Sequence, residues 1–179
     1  MKRLLALSRL VDRFTAGAGR IASALVLLVT LVSVTNAALR YGVGVGSNAW
    51  LEAQTYMFAG LVYLGGAYTL QANEHIRVDV LYTMARSRTR LLIDIFGLLF
   101  FLLPVCAVLA WLSWSYFANS FASQEVSGNA GGLVLWPAKF FIPVGFGLLI
   151  LQGLSELVKR VAALRGELEF DVTYEKPEQ

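Results

Sequence analysis

The sequence has one cysteine, Cys106, one histidine, His75, and charge on only 15% of its residues. A lone cysteine allows no intrachain disulfide and no Cys-x-x-Cys redox or zinc pattern. A lone histidine cannot give paired axial ligands to a haem held between helices. Nor can it complete a two-histidine helical zinc motif or stand beside a serine nucleophile inside an apolar segment. Histidine with methionine is formally available from His75 with Met57 or Met84, but His75 falls in a polar connection. No catalytic residue, metal or other cofactor is implied. The scarcity of charge also excludes an ordinary soluble domain, because 57% of the residues are apolar and the mean hydropathy is +0.63. A net charge of +3 would suit a nucleic-acid partner only if it formed one basic face. Here the basic residues flank hydrophobic segments instead, so nucleic acid is not expected as a partner.

What remains is a polytopic membrane protein of the all-α class, with four transmembrane helices. Ile21 to Leu39 runs uncharged between Arg20 and Arg40, and at helical rise it covers about 30 Å of hydrocarbon. Further apolar segments fall at about 50–72, 91–117 and 133–157. Ahead of the first, residues of about 2–15 place Leu4, Leu7, Leu10, Val11 and Phe14 on one helical face and Lys2, Arg9 and Arg13 on the other. That segregation predicts an amphipathic interfacial helix on the cytoplasmic leaflet, with Gly17 and Gly19 permitting an elbow into the first span. Residues 1–166 form one membrane domain, and the acidic tail 167–179 is expected to be disordered.

Lysine and arginine lead the chain, fill the second connection with Arg77, Arg86, Arg88 and Arg90, and follow span four as Lys159, Arg160 and Arg165. The positive-inside rule then puts both termini in the cytoplasm. Trp50 and Trp136 begin spans two and four from outside, and Trp111 and Trp114 lie roughly 26–30 Å above the cytoplasmic start of span three. All four tryptophans thus share the outer interface, as an aromatic belt requires. Arg9, Arg13, Arg86, Arg88, Arg90, Trp111 and Trp114 are expected as interfacial anchors, with phospholipid around them.

No ionisable residue is expected near the bilayer midplane, where an ion-coupled carrier would need one. Glu52, Asp94 and Lys139 each fall within about a turn of a span end, with Lys139 placed to snorkel outward. The spans do carry small residues suited to close helix packing, with Ala53, Gly60 and Ala67 at seven-residue intervals and Gly145, Gly147 and Gly153 in span four. The densest polar run is NEHIRVDVLY, Asn73 to Tyr82. Asn73 suits a left-handed cap on span two, His75 and Arg77 suit the negative end of that helix, and Asp79 suits an N-cap. His75, Arg77 and Asp79 are also candidates for docking a partner subunit or lipid headgroups. A metal site from Glu74, His75 and Asp79 would draw every ligand from one short loop and is disfavoured.

The motifs WLEAQTYMF, LVYLGGAY and EHIRVDVLY, with GNAGGLVLWPAKFFIPVGFGLLILQGLSE at Gly128 to Glu156, resemble the small membrane subunit of tripartite ATP-independent periplasmic (TRAP) transporters. The resemblance covers Asn36 to Glu156. Ala53 stands where many relatives carry a second acid after Glu52, so no paired-carboxylate role is implied there. The resemblance implies a bacterial inner-membrane protein in a three-component system. In it a periplasmic binding protein delivers an organic acid, with the outer loops as its candidate contact, and a large membrane subunit carries acid and sodium by an elevator-type movement. The small subunit braces the static part of the large one. Candidate contacts with the large subunit are Trp50, Glu52, Gly60, Ala67, His75, Arg77, Asp79, Trp136 and Lys139. On the residues alone two rivals stay open, a membrane anchor for an electron-transfer enzyme and a self-contained small channel or carrier.

Overall fold

The computed structural model describes residues 1–74 and 86–168. Its order is α1 (Lys2–Gly42), α2 (Asn48–Gln71), α3 (Ser87–Gly97), a π-helical turn (Leu98–Leu102), α4 (Leu103–Ser123) and α5 (Trp136–Leu164). Among the described residues the only β pairing is an isolated antiparallel bridge, Val126 to Val134. Three rods are long and apolar enough to cross a membrane: Lys2–Gly42, Ser87–Ser123 and Trp136–Leu164. α2 has 24 residues, which is length enough, but Gln54, Thr55, Tyr56, Gly65, Gly66 and Thr69 dilute its apolar content.

Helix ends follow local chemistry. Asn73 takes φ 60°, its N–H donates to Leu70 O (3.3 Å) and the Glu74 N–H donates to Thr69 O (3.1 Å), closing α2 as the sequence suggests. Gln124 (φ 48°) closes α4 and Gly166 (φ 71°) closes α5 by the same pair of bonds. The π turn lies directly before Pro104. Proline has no N–H to give the carbonyl four residues back and its ring crowds that carbonyl, so the helix widens ahead of it.

α1 departs from expectation. It is one continuous 41-residue helix, about 60 Å long, with no elbow at Gly17 or Gly19 and no separate surface helix over residues 2–15. Glycine inside a helix costs only about 1 kcal/mol relative to alanine, too little to break a helix held along both halves. Gly19 serves close approach instead, since a Cβ there would lie 2.5 Å from Tyr68 Cγ. Below it the stripe Ser8, Asp12 and Thr15 packs inward, which leaves Leu4, Leu7, Leu10 and Phe14 exposed.

α5 is the hub, packed against α1, α2 and α4, while α1 and α2 form an antiparallel hairpin. Ala18, Ala67 and Leu148 make the three-helix contact, flanked by Leu64, Val144 and Leu149. Small residues set the spacing there. A Cβ on Gly145 would lie 2.6 Å from Tyr63 Cβ, and one on Gly60 would lie 3.1 Å from Leu25 Cδ1 and 3.2 Å from Phe141 Cζ.

Candidate functional site

Polar side chains gather at both ends of the bundle. On α5, Gln152, Ser155, Glu156, Lys159 and Arg160 recur at helical spacing, so they share one face over the last turns. Opposite them, Ser8 and Asp12 of α1 stand one turn apart. The Asp12 carboxylate accepts from Gln152 Nε2 (3.0 Å) and Ser155 Oγ (3.0 Å) and pairs with Lys159 Nζ (2.9 Å). Ser8 and Ser155 share a hydroxyl–hydroxyl bond of 2.6 Å. Gln152 Nε2 also donates to Glu156 Oε1 (3.0 Å), which accepts from Lys159 as well (2.6 Å).

Arg160 carries this ladder to α3. Its side chain is 2% exposed, its Nε donates to Asp94 Oδ2 (3.0 Å), and its Nη1 pairs with Glu156 Oε2. Buried charges persist only when paired and hydrogen-bonded, and each of these has both. The ladder therefore clasps α1, α3 and α5 together. Asp94, near a span end in the sequence, is here a half-buried partner of Arg160. The sequence reading missed the roles of Asp12, Gln152, Glu156 and Arg160. The i, i+3, i+4, i+7, i+8 spacing of Gln152, Ser155, Glu156, Lys159 and Arg160 was the available signal on α5.

At the other end, the connection between α4 and α5 folds onto α2. The Glu52 carboxylate accepts from Ser127 Oγ, Asn129 Nδ2 (2.8 Å) and the Leu133 N–H (2.6 Å). Tyr56 Oη donates to Val134 O (2.8 Å) and Asn48 Nδ2 to Ala130 O (3.1 Å). Lys139 does not snorkel. It is buried, paired with Glu125 and 4.0 Å from the centroid of the Tyr116 ring. An adjacent carboxylate and an aromatic face satisfy the ammonium where it stands, so it need not reach for water.

The hydrogen bond from Lys139 holds the Glu125 carboxyl below its ordinary value of 4.5. The folded loop thus binds this proton less tightly than the unfolded chain does. Its contribution to stability is complete above pH 4.5 and is lost as pH falls below that value. The melting temperature of wild type is expected to drop as pH is lowered through this window. Glu125→Gln is expected to melt lower at neutral pH and to show a shallower acid drop; parallel profiles for the two proteins would contradict the assignment.

The other sequence candidates divide by environment. Gly60 and Ala67 are buried within the chain, against α1 and α5. Trp136 stacks edge-on to Phe121 at 5.3 Å, whereas Trp50, Trp111 and Trp114 are exposed. Arg9, Arg13, Arg86 and Arg88 are exposed and Arg90 is half-buried. His75, Arg77 and Asp79 lie outside the described residues, as does most of the loop metal site considered above. Cys106 is a free, buried thiol.

Apolar rods long enough to cross a bilayer, closed at both ends by polar side chains turned inward, define a helical membrane protein. A family model described as tripartite ATP-independent periplasmic transporters, DctQ component, matches residues 29–163. The chain belongs to that family and is a small membrane subunit of a TRAP transporter. Membership implies association with a large membrane subunit and a substrate-binding protein. No curated protein and no solved structure matches the chain. Ser8 and Asp12 precede the matched segment, so the α1 half of the inner clasp lies beyond it.

Proposed function

We propose that this subunit crosses the inner membrane four times with both termini in the cytoplasm, and that it is a non-catalytic brace for the large subunit. The complex takes up an organic acid with sodium, the acid being delivered by the periplasmic binding protein. One observation carries the reading. The buried and half-buried acids and bases of the packed bundle, at both ends, are held by other residues of the same chain. Such a bundle has its buried and half-buried charges committed to its own shape, and its long rods turn large apolar side chains outward.

The rod α3–π–α4 joins the bundle through α5 and exposes Phe96, Phe100, Phe101, Val108, Trp111 and Leu112. An open, mainly apolar cleft of about 580 Å³ runs beside it between Leu70 and Phe101. This face, with Trp50 and the His75–Asp79 connection, is the proposed contact for the large subunit. Glu52, Lys139, Gly60 and Ala67 act within the chain to hold that face in shape.

Single cysteines at Phe100, Val108 and Trp111, in a Cys106→Ser background, are expected to crosslink to the co-expressed large subunit. Cysteines at Leu27 and Leu31 on exposed α1 serve as the comparison. Capture at α1 with none on the α3–α4 rod would reject this placement.

A further inference from the structure

The junction between α1 and α2 forms an open polar cavity of about 270 Å³, lined by Asn36, Arg40, Gly44, Gly46, Ser47, Asn48 and Leu51. We propose that this cavity binds an oxyanion of the phosphate type, supplied either as the phosphodiester of an outer-leaflet phospholipid or as free phosphate.

Three independent features converge on negative charge. Asn36 and Arg40 stand one turn apart on α1, so both side chains reach the same side of the helix. Asn36 is only 8% exposed yet lines the cavity, and among the described residues its amide makes no hydrogen bond. Its amide atoms open onto the cavity, where a guest can complete their hydrogen bonds. Arg40 has no carboxylate within ion-pair range among the described residues, and its stem folds over the connection, 3.9 Å from where a Gly46 Cβ would be.

The third feature is α2 itself. Its N-cap is Ser47, whose hydroxyl makes no capping bond, and no acidic side chain lies in the first turn. The first amides of this 24-residue helix therefore present N–H donors and the positive end of its dipole to the cavity. Glu52, the nearest acid along α2, is turned away and held by Ser127, Asn129 and Leu133. Asn48 is committed to Ala130, which fixes the rim and leaves Asn36, Arg40 and Ser47 as the side chains for the guest. Tyr41 and Trp50, next in sequence to the lining residues Arg40 and Leu51, are exposed, as suits the headgroup level of a bilayer.

The site rests on the proposed topology only for its leaflet. The full-length chain, purified in detergent, is melted in sodium phosphate and in sodium chloride at equal ionic strength, and its bound phospholipid is counted by native mass spectrometry. Either a saturable rise in melting temperature with phosphate or a retained phospholipid is expected. The first identifies free phosphate as the source and the second identifies the lipid. Arg40→Gln should abolish the effect, Arg40→Lys should weaken it, and Asn36→Leu should weaken binding about tenfold. Because Asn36 is buried, exposed Ser47→Ala serves as a second probe and should also weaken the effect. Phosphate response and lipid retention unchanged in both Arg40→Gln and Ser47→Ala would overturn the proposal, as would their absence from wild type. Neither result alters crosslinking to the large subunit, so failure here is separable from failure of the proposed function.

Discussion

Arg160→Met is expected to destabilise the protein by roughly 3–5 kcal/mol, the range for breaking a buried ion pair from one side. The guanidinium is 2% exposed and contacts Asp94 and Glu156 together, so its loss takes a cationic partner from two carboxylates that are only 11% and 4% exposed. Glu156 keeps Lys159 and Gln152, whereas the α3 side of the clasp loses its link to α5. Arg160→Met combined with Asp94→Asn should recover much of the loss, because removing both charges costs far less than removing one. Unfolding of the purified variants in matched detergent measures both effects. A single variant within about 0.5 kcal/mol of wild type would show that the ladder is a surface decoration.

The second large effect is steric. Gly145→Leu is expected to destabilise by about 1–3 kcal/mol, since a Cβ there would already sit 2.6 Å from Tyr63 Cβ and 2.8 Å from Tyr63 O. A backbone oxygen cannot rotate aside, so α2 and α5 must separate, and the Ala67–Leu148 contact opens with them. Two residues along α5, Gly147 has nothing within 4 Å of its Cβ position. Gly147→Leu should therefore lie within about 0.5 kcal/mol of wild type. Equal melting of the two variants would contradict the α2–α5 packing.

What the sequence made legible was set by the range of the interactions involved. Of the four apolar lengths read as spans, those at 21–39, 91–117 and 133–157 overlap the three rods long and apolar enough to cross a membrane, and the small-residue stripe at Gly60 and Ala67 correctly signals close packing, because both are read within one helix. Asn73 as a left-handed cap is equally local. Partners at long sequence separation were illegible. Lys139 read as a snorkelling side chain because Glu125 belongs to a loop whose fold onto α2 is fixed by Glu52, far away in sequence. Likewise, the polar face of residues 2–15 read as a face for water. It is split instead, with Arg9 and Arg13 outward and Ser8 and Asp12 turned onto α5. Only a comparison of the two stripes, Ser8–Asp12–Thr15 and Gln152–Ser155–Glu156–Lys159, would have suggested that they meet and keep α1 straight.

That commitment of buried and half-buried charges to internal contacts is why the account assigns cargo to another subunit. Its most direct test is uptake of a radiolabelled organic acid into proteoliposomes under an inward sodium gradient, with the large subunit and the periplasmic receptor present and this chain included or omitted. The account predicts uptake from the full set, loss when this chain is left out, and none from this chain by itself. Sodium-dependent accumulation by this chain alone would contradict it.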